Sequence, residues 1–341
     1  MPKASPSARK TAPEISIGVV GLGMGRHHCG EIVQVPGLKV ATLCDVNAER
    51  LAAGEKDFGV KGYAEYERLL ADPKVDLVVL ATPHDTHCPL AVQGLQAGKH
   101  VIVEKVMCTS VAEADRMIAA RNKSGKMLTV YQNRRWDADY VGVRQVVESG
   151  LIGDWFQVES FVGGYGPQGG WRADKEHGGG HFYDWGAHLF DQALLWGGAG
   201  AQVTGAFAHT QYRVWNQTVE SHAHAAIRFD NGLLWINELS GITRIGRPRW
   251  RILGEKGSLE KGGFDANERI KVVTELAGTV AEAYVECAKP TWLSFYRNIA
   301  AHLLEGEHLA VQPEECRRAV AAICAAIRSA ETGRVEASEV P

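Results

Sequence analysis

A chain that opens on ISIGVVGLGMGRHHCGEIVQVPGLKVATLCD, residues 15–45, has little freedom in what it folds into. The run over 15–20 is mostly β-branched, as suits a strand buried on both faces. Gly21, Leu22, Gly23, Met24 and Gly25 then turn the chain into a segment that can be helical through about residue 33. A second apolar run, 38–43, is followed by an acid, Asp45. Strand, glycine turn, helix, strand and acid is the order a dinucleotide site needs. Glycines let backbone N–H groups approach a pyrophosphate at a helix N-terminus, and the acid accepts hydrogen bonds from ribose hydroxyls. Asp45 follows Gly25 by 20 residues, close to the motif's interval. The third glycine of G-x-G-x-x-G is absent, because Arg26 stands in its place.

The alternation continues. Helices are expected over 47–58, 66–71, 87–97 and 111–123, and strands over 60–63, 77–82, 100–104 and 127–131. Apolar strands separated by helices imply βαβ units and a parallel sheet covered on both faces. Six such strands make an α/β Rossmann domain over 15–132. Ligands bind beyond the carboxyl ends of strands in these sheets. That places the 21–25 turn, Asp45, Thr82, Pro83, His84, Glu104, Lys105, Gln132 and Asn133 at the site, with His87 opening the helix that follows. Lys105, just past a buried strand, is positioned to donate to a substrate hydroxyl. The competing expectation is an ordinary solvated lysine.

The pattern changes at Trp155. After a helix over 137–148, short strands are expected over 156–161, 203–210, 222–229, 233–239, 250–253 and 270–275, with turns such as Asp230-Asn231-Gly232. Strands without intervening helices imply an open-faced, mostly antiparallel sheet, an α+β domain over 133–341 that ends in helices 292–305 and 313–330. Within it lies GGGHFYDWGAHLFD, residues 178–191. A helix from about residue 181 would align Asp184, His188 and Asp191 on one face. So narrow a polar stripe among aromatic residues must find partners. A carboxylate one turn from a histidine fixes the imidazole tautomer and raises its basicity, as a general acid/base needs. A structural Asp–His hydrogen bond at a domain seam is one alternative. A metal site from His181, Asp184 and His188 is another, but only part of a convergent ligand set is visible, so no metal is expected. His27, His28, His222 and His224 are expected to be structural.

Composition narrows the partners. A net charge of -3 offers no electrostatic argument for nucleic acid or an acidic membrane surface. The 7 cysteines are scattered, odd in number and free of C-x-x-C pairs, which points to reduced thiols in a cytoplasmic protein. Residues 1–14 read as a flexible tail without an apolar signal region, and no apolar run reaches the ~20 residues that span a membrane.

The motifs GLGMGRHH, CDVNAERL, ATPHDTH, GKHVIVEK, QNRRWD, GGWR and GGGHFYDWGAHLFD together resemble those of the Gfo/Idh/MocA oxidoreductases, the group of glucose–fructose oxidoreductase and the inositol dehydrogenases, from residue 15 to about 263. The resemblance implies a Rossmann domain joined to an open-faced sheet, assembled as a homodimer or homotetramer. It matches the family's E-K-P lysine to Lys105 and its D-x-x-x-H residues to Asp184 and His188. By resemblance, His188 exchanges the proton of the reacting hydroxyl, Asp184 supports it, and Lys105 holds that oxygen near the nicotinamide. Trp171 and Arg172 resemble a W-R pair near the cofactor, and residues 131–134 resemble the active-site rim. Here E-K-P becomes Glu104-Lys105-Val106. The family's proline often follows an unusual peptide bond; a cis bond before valine costs about 3 kcal/mol, so trans is expected. Substrate contacts are expected from His181 and from loops around Tyr165, Trp171 and Trp250. The implied activity is NAD-dependent hydride exchange with a carbinol carbon of a sugar, cyclitol or related polyol. NAD is favoured over NADP because Asp45 would repel a 2′-phosphate, although Arg50 lies a helical turn away. Two alternatives stand beside it: a glycoside-cleaving enzyme that oxidises its sugar transiently and keeps its NAD, and a non-enzymatic NAD-binding sensor.

Overall fold

In the computed structural model, which describes residues 13–338 except 199, 288, 290 and 291, the opening run forms β1 (Ile15–Val20), with Ile17 and Val19 fully buried. Apart from Pro13 and Glu14, the tail expected over 1–14 lies outside the described residues. The chain continues through α1 (Gly25–Ile32), β2 (Leu38–Cys44), α2 (Ala48–Phe58), β3 (Gly62–Tyr63), α3 (Tyr66–Ala71) and β4 (Leu77–Leu80). Then follow α4 (His87–Gln96), β5 (His100–Val103), α5 (Val111–Ser124) and β6 (Leu128–Val130). Local chemistry sets these ends. At α2, Asn47 accepts from Arg50 N at 2.9 Å, and Gly59 stops the helix at φ 66°.

The six strands pair in parallel in the order β3-β2-β1-β4-β5-β6. Strand order reverses between β1 and β4, which opens a crevice beyond their carboxyl ends. Gly21 makes that crevice possible. Its φ is 86°, and a Cβ there would lie 2.4 Å from Ala81 O, so no other residue lets the two strand exits run side by side.

The second half comprises α6 (Ala138–Glu148), β7 (Trp155–Gly163), α7 (Gly186–Gly197), β8 (Val203–Gln211), β9 (His222–Phe229), β10 (Leu234–Ser240) and β11 (Trp250–Gly254). It ends with β12 (Gly257–Lys261), β13 (Ile270–Leu276), β14 (Thr279–Val285), α8 (Ser294–Glu305) and α9 (Pro313–Thr332). The eight strands run β14-β13-β12-β11-β7-β10-β9-β8, and every pair is antiparallel except β7 with β10. Strands β12 and β14 escaped the sequence patterns. None of the seven residues of β14 is buried, so it carries no apolar alternation, and β12 is a short segment with charge at its end.

Helices α7 and α9 pack on this sheet at β10 and β8, and α9 also reaches back to α5 and β6. Beneath them Trp196 and Trp250 stack at 5.9 Å, with Trp235 edge-on to both. Trp250 is fully buried and its indole donates to Asp139 at 2.7 Å. It therefore belongs to the core and not, as expected, to a substrate loop: it opens β11 on the face that the helices cover. Asp191 is likewise structural. Arg135, in the turn after β6, grips both of its oxygens at 2.6 and 2.8 Å and reaches Glu315 of α9 at 2.8 Å. No helix among the described residues is long and apolar enough to cross a membrane.

Replacing Arg135 by Met strands the buried Asp191 carboxylate and should cost about 3–5 kcal/mol, read as a lower midpoint in urea unfolding.

Candidate active site

The carboxyl ends of β1, β2, β4 and β5 open onto a cleft of about 620 Å³. Gly21, Gly23, Met24 and Asp45 form one wall, Thr82 and Pro83 the next, and Glu104, Lys105, Trp171 and Arg172 the far end. The amides of Gly23 and Met24 find no acceptor among the described residues, and a Cβ at Gly23 would meet nothing within 4 Å. Two free N–H groups over an open floor at the start of α1 suit an anionic diphosphate. Leu22 differs from expectation. Its side chain is buried and its amide donates to Asp45 Oδ2 at 2.7 Å, so it braces the acid from inside. Asn47 N donates to Asp45 Oδ1 at 2.8 Å. Each oxygen retains acceptor capacity for a ribose hydroxyl.

The missing third glycine is compensated locally. A Cβ at Gly25 would lie 2.8 Å from Val19, so Gly25 provides the close helix–strand approach for which the third glycine serves. Arg26 turns away and pairs with Asp57 of α2.

His87, expected at the cofactor, is fully buried behind the cleft. Its Nδ1 lies 2.7 Å from Val106 O and its Nε2 3.0 Å from Thr82 O. His84 sits beside it, with Nε2 3.1 Å from Lys105 O and Nδ1 2.8 Å from Gly178 O. The Lys105–Val106 peptide is cis, which corrects the trans expectation. Buried imidazoles contact the carbonyls of both residues, and Val106 is itself enclosed; sequence spacing shows none of these surroundings.

A smaller cavity of about 260 Å³ adjoins the far end and shares Met24, Glu104, Lys105 and Arg172 with the cleft. Lys105, Asp184, His188, Asn133 and Arg134 meet there beside Tyr131 and Trp185. The helix expected from residue 181 begins at Gly186, and residues 181–185 form turns in which Asp184 N reaches Gly180 O at 2.9 Å. The two residues expected to pair with each other share the cavity but take different partners. Asp184 pairs with Lys105 Nζ, which also donates to the Asp184 carbonyl at 3.0 Å, while Arg172 Nε reaches the same carboxylate at 3.2 Å. His188 turns elsewhere, with Nδ1 3.0 Å from Gln132 Oε1. Gln132, expected at the strand end and within the 131–134 rim but given no role there, thus takes the place expected of Asp184.

Three expected substrate contacts fare differently. Trp171 lines the cleft, edge-on to His84 at 4.5 Å and beneath the Arg172 guanidinium. His181 is buried against Gly241 and lines neither cavity. Tyr165 stacks under Arg244 at 3.6 Å and beside Trp215, on a surface away from both cavities. Its place in a loop carried no information on which way that loop folds.

The electrostatics are uneven. Burial pushes the Asp184 carboxyl upward, but the Lys105 charge and hydrogen bond, joined by Arg172, outweigh it and hold the group below the usual carboxylate range. Burial, reinforced by Lys105, Arg134 and Arg249, keeps the His188 imidazole well below its ordinary range and hence neutral.

A parallel sheet with a phosphate-binding turn at its switch point, ending in a lysine, a carboxylate and a neutral imidazole, defines a dinucleotide-dependent oxidoreductase. The chain matches the GFO_IDH_MocA oxidoreductase family, NAD-binding Rossmann fold, over residues 15–132 and the GFO/IDH/MocA C-terminal domain over 140–260. It belongs to the Gfo/Idh/MocA family, and its first half is that family's NAD-binding domain. It is 30% identical to the uncharacterized oxidoreductase YdgJ of Escherichia coli, over 74% of this chain and 73% of that one. It is 27% identical to the scyllo-inositol 2-dehydrogenase (NADP(+)) IolW of Bacillus subtilis over 96% of both. The crystal structure of an NAD-binding protein from Listeria innocua superposes with a TM-score of 0.88 at 32% identity, covering 95% of this chain and 97% of that one.

The Asp184 carboxyl is held below its unfolded value. Its contribution to stability is therefore complete above the unfolded pKa of ~3.9 and is lost as pH falls through the folded one. Asp184→Asn should consequently flatten the fall in Tm between about pH 5 and about pH 2, as followed by calorimetry.

Proposed function

We propose that this protein is an NAD-dependent dehydrogenase acting on a secondary hydroxyl of a sugar, cyclitol or related polyol. The observation that carries this is the convergence of Lys105, Asp184 and His188 on one small cavity at the end of the dinucleotide cleft. When bound, NAD supplies the acceptor for the substrate's hydride. The chain supplies the rest. His188, neutral and facing the cavity, takes the hydroxyl proton on Nε2 as the carbinol is oxidised and returns it in reduction. Lys105 donates a hydrogen bond to the same oxygen and stabilises the negative charge that develops there. Asp184 and Arg172 fix the direction of the ammonium, since Lys105 Nζ is tethered to both the carboxylate and the carbonyl of Asp184. Residues 15–132 supply most of the cofactor cleft, closed by Trp171 and Arg172, and the region from 133 onward adds Asn133, Arg134, Asp184, Trp185 and His188 to the substrate cavity.

The Asp45 carboxylate, held by two backbone amides where a ribose would lie, favours NAD over NADP by charge. Arg50 lines the same cleft, and the relative IolW is named for NADP(+), so the coenzyme test is a sharp one.

A panel of inositols, aldoses and glycosides, followed at the absorbance of reduced nicotinamide, should give turnover at least tenfold faster with NAD than with NADP. His188→Gln and Lys105→Met should each lower kcat by about 10²–10⁴ with little change in NAD affinity. Aglycone release without net NADH would replace this activity by glycoside cleavage, full activity in both variants would remove the roles given to His188 and Lys105, and no turnover of any panel member would favour a non-enzymatic NAD-binding sensor.

A further inference from the structure

Gln132 follows β6 and is 2% exposed, and its two side-chain contacts settle something that the imidazole alone leaves open. Its Nε2 donates to Ala187 O at 3.2 Å, and its Oε1 lies 3.0 Å from His188 Nδ1. A carbonyl only accepts, so Ala187 O obliges the amide to turn its NH₂ group that way. What then faces His188 is the amide oxygen, which also only accepts. Nδ1 must carry the hydrogen of that contact. In a neutral ring Nε2 is then a bare lone pair, and no described residue satisfies it, while His188 lines the catalytic cavity. Ala187 and His188 are neighbours in α7, so one amide holds two consecutive residues of that helix.

We propose that Gln132 is a positioning residue of the reaction, one that reads the fixed carbonyl of Ala187 and thereby imposes on His188 the tautomer whose unprotonated Nε2 faces the substrate. The proposal rests on the acid/base role given to His188 above. Use of an amide where a carboxylate was expected has a chemical consequence. A carboxylate would impose the same tautomer but add a charge that favours the imidazolium. The titratable and charged groups facing His188 are Lys105 past β5, Arg134 past β6, Arg249 ahead of β11, Asp184 in the turn before α7, and Glu104, Tyr131 and His27 on the cavity wall. Asp184 is occupied by Lys105 and Arg172 and Glu104 by His28, so the three cations act on the ring without a free anion to offset them. The neutral glutamine leaves that balance intact, and the base stays unprotonated into mildly acid solution.

The test uses the full chain saturated with NAD and labelled with ¹⁵N-histidine, the His188 signal being identified by its loss in His188→Gln. Wild-type protein should show hydrogen on Nδ1 and none on Nε2. Gln132→Leu, which removes both contacts, should give mixed tautomers and lower kcat more than it raises the KM for NAD. Gln132→Glu keeps the acceptor but adds charge, so it should retain the tautomer and move the acid limb of kcat/KM upward by about one pH unit or more, a roughly tenfold loss on that limb. Myo-inositol, or the panel member turned over fastest, serves as substrate. Should Gln132→Leu fail to fold, the Gln132→Glu tautomer and pH profile decide the matter alone. An unmoved acid limb in Gln132→Glu, or a wild-type tautomer in a folded Gln132→Leu, would overturn the proposal and leave Gln132 as a tie between β6 and α7. Full turnover in His188→Gln gives a different signature: it removes the acid/base role of His188 itself, whatever the tautomer.

Discussion

The ion pair between Lys105 and Asp184 is the contact on which the site depends. Its partners lie 79 residues apart, one past β5 and the other in the turn ahead of α7, so it joins the parallel sheet to the substrate half at the point where chemistry would occur. Both side chains are largely withdrawn from water, and an ion pair in that setting is sustained only with good geometry and further hydrogen bonds. Here the Asp184 carbonyl and Arg172 supply them. The pair therefore acts less as a source of stability than as a device for aiming an ammonium.

Around it, buried polar side chains at the end of the parallel sheet take hold of the 178–191 stretch. His84 reaches Gly178 O and Gln132 reaches Ala187 O, both backbone carbonyls, while Arg135, just past the parallel half, clamps the Asp191 carboxylate of α7. Each contact satisfies groups that would be costly to bury unpaired, and each also fixes where the 178–191 stretch sits over the cleft. Stability and positioning come from the same bonds. In consequence His188 is held by a neutral amide, while the available carboxylate is spent on the lysine.

How much of this was legible in the sequence differs from residue to residue. Strand boundaries in the first half agree within a few residues, because β1, β4 and β5 are largely buried on both faces and carry mostly apolar runs. The 21–25 turn and Asp45 could be read because their function constrains backbone geometry locally. In the second half β14 was invisible, since a strand with no buried residue has no periodicity to detect. Trp250 and Tyr165 were both assigned to substrate loops; one is a core residue and the other stacks on Arg244. Nothing in their sequence neighbours tells which face or direction a side chain takes once distant strands are paired.

The sequence by itself determined the alternating strand–helix order and the dinucleotide turn with its acid, and it singled out Lys105, Asp184 and His188 as the side chains proposed to react. Those features depend on residue type and short-range spacing. Only the tertiary structure decided the partnerships. It set Asp184 against Lys105 in place of His188, gave His188 to Gln132, enclosed the cis Lys105–Val106 peptide between two imidazoles, and let Gly25 stand in for the missing glycine. Hydrogen-bond partners across 50 to 80 residues are chosen by how two sheets and a helix dock, and that docking is recorded in no local pattern of the chain.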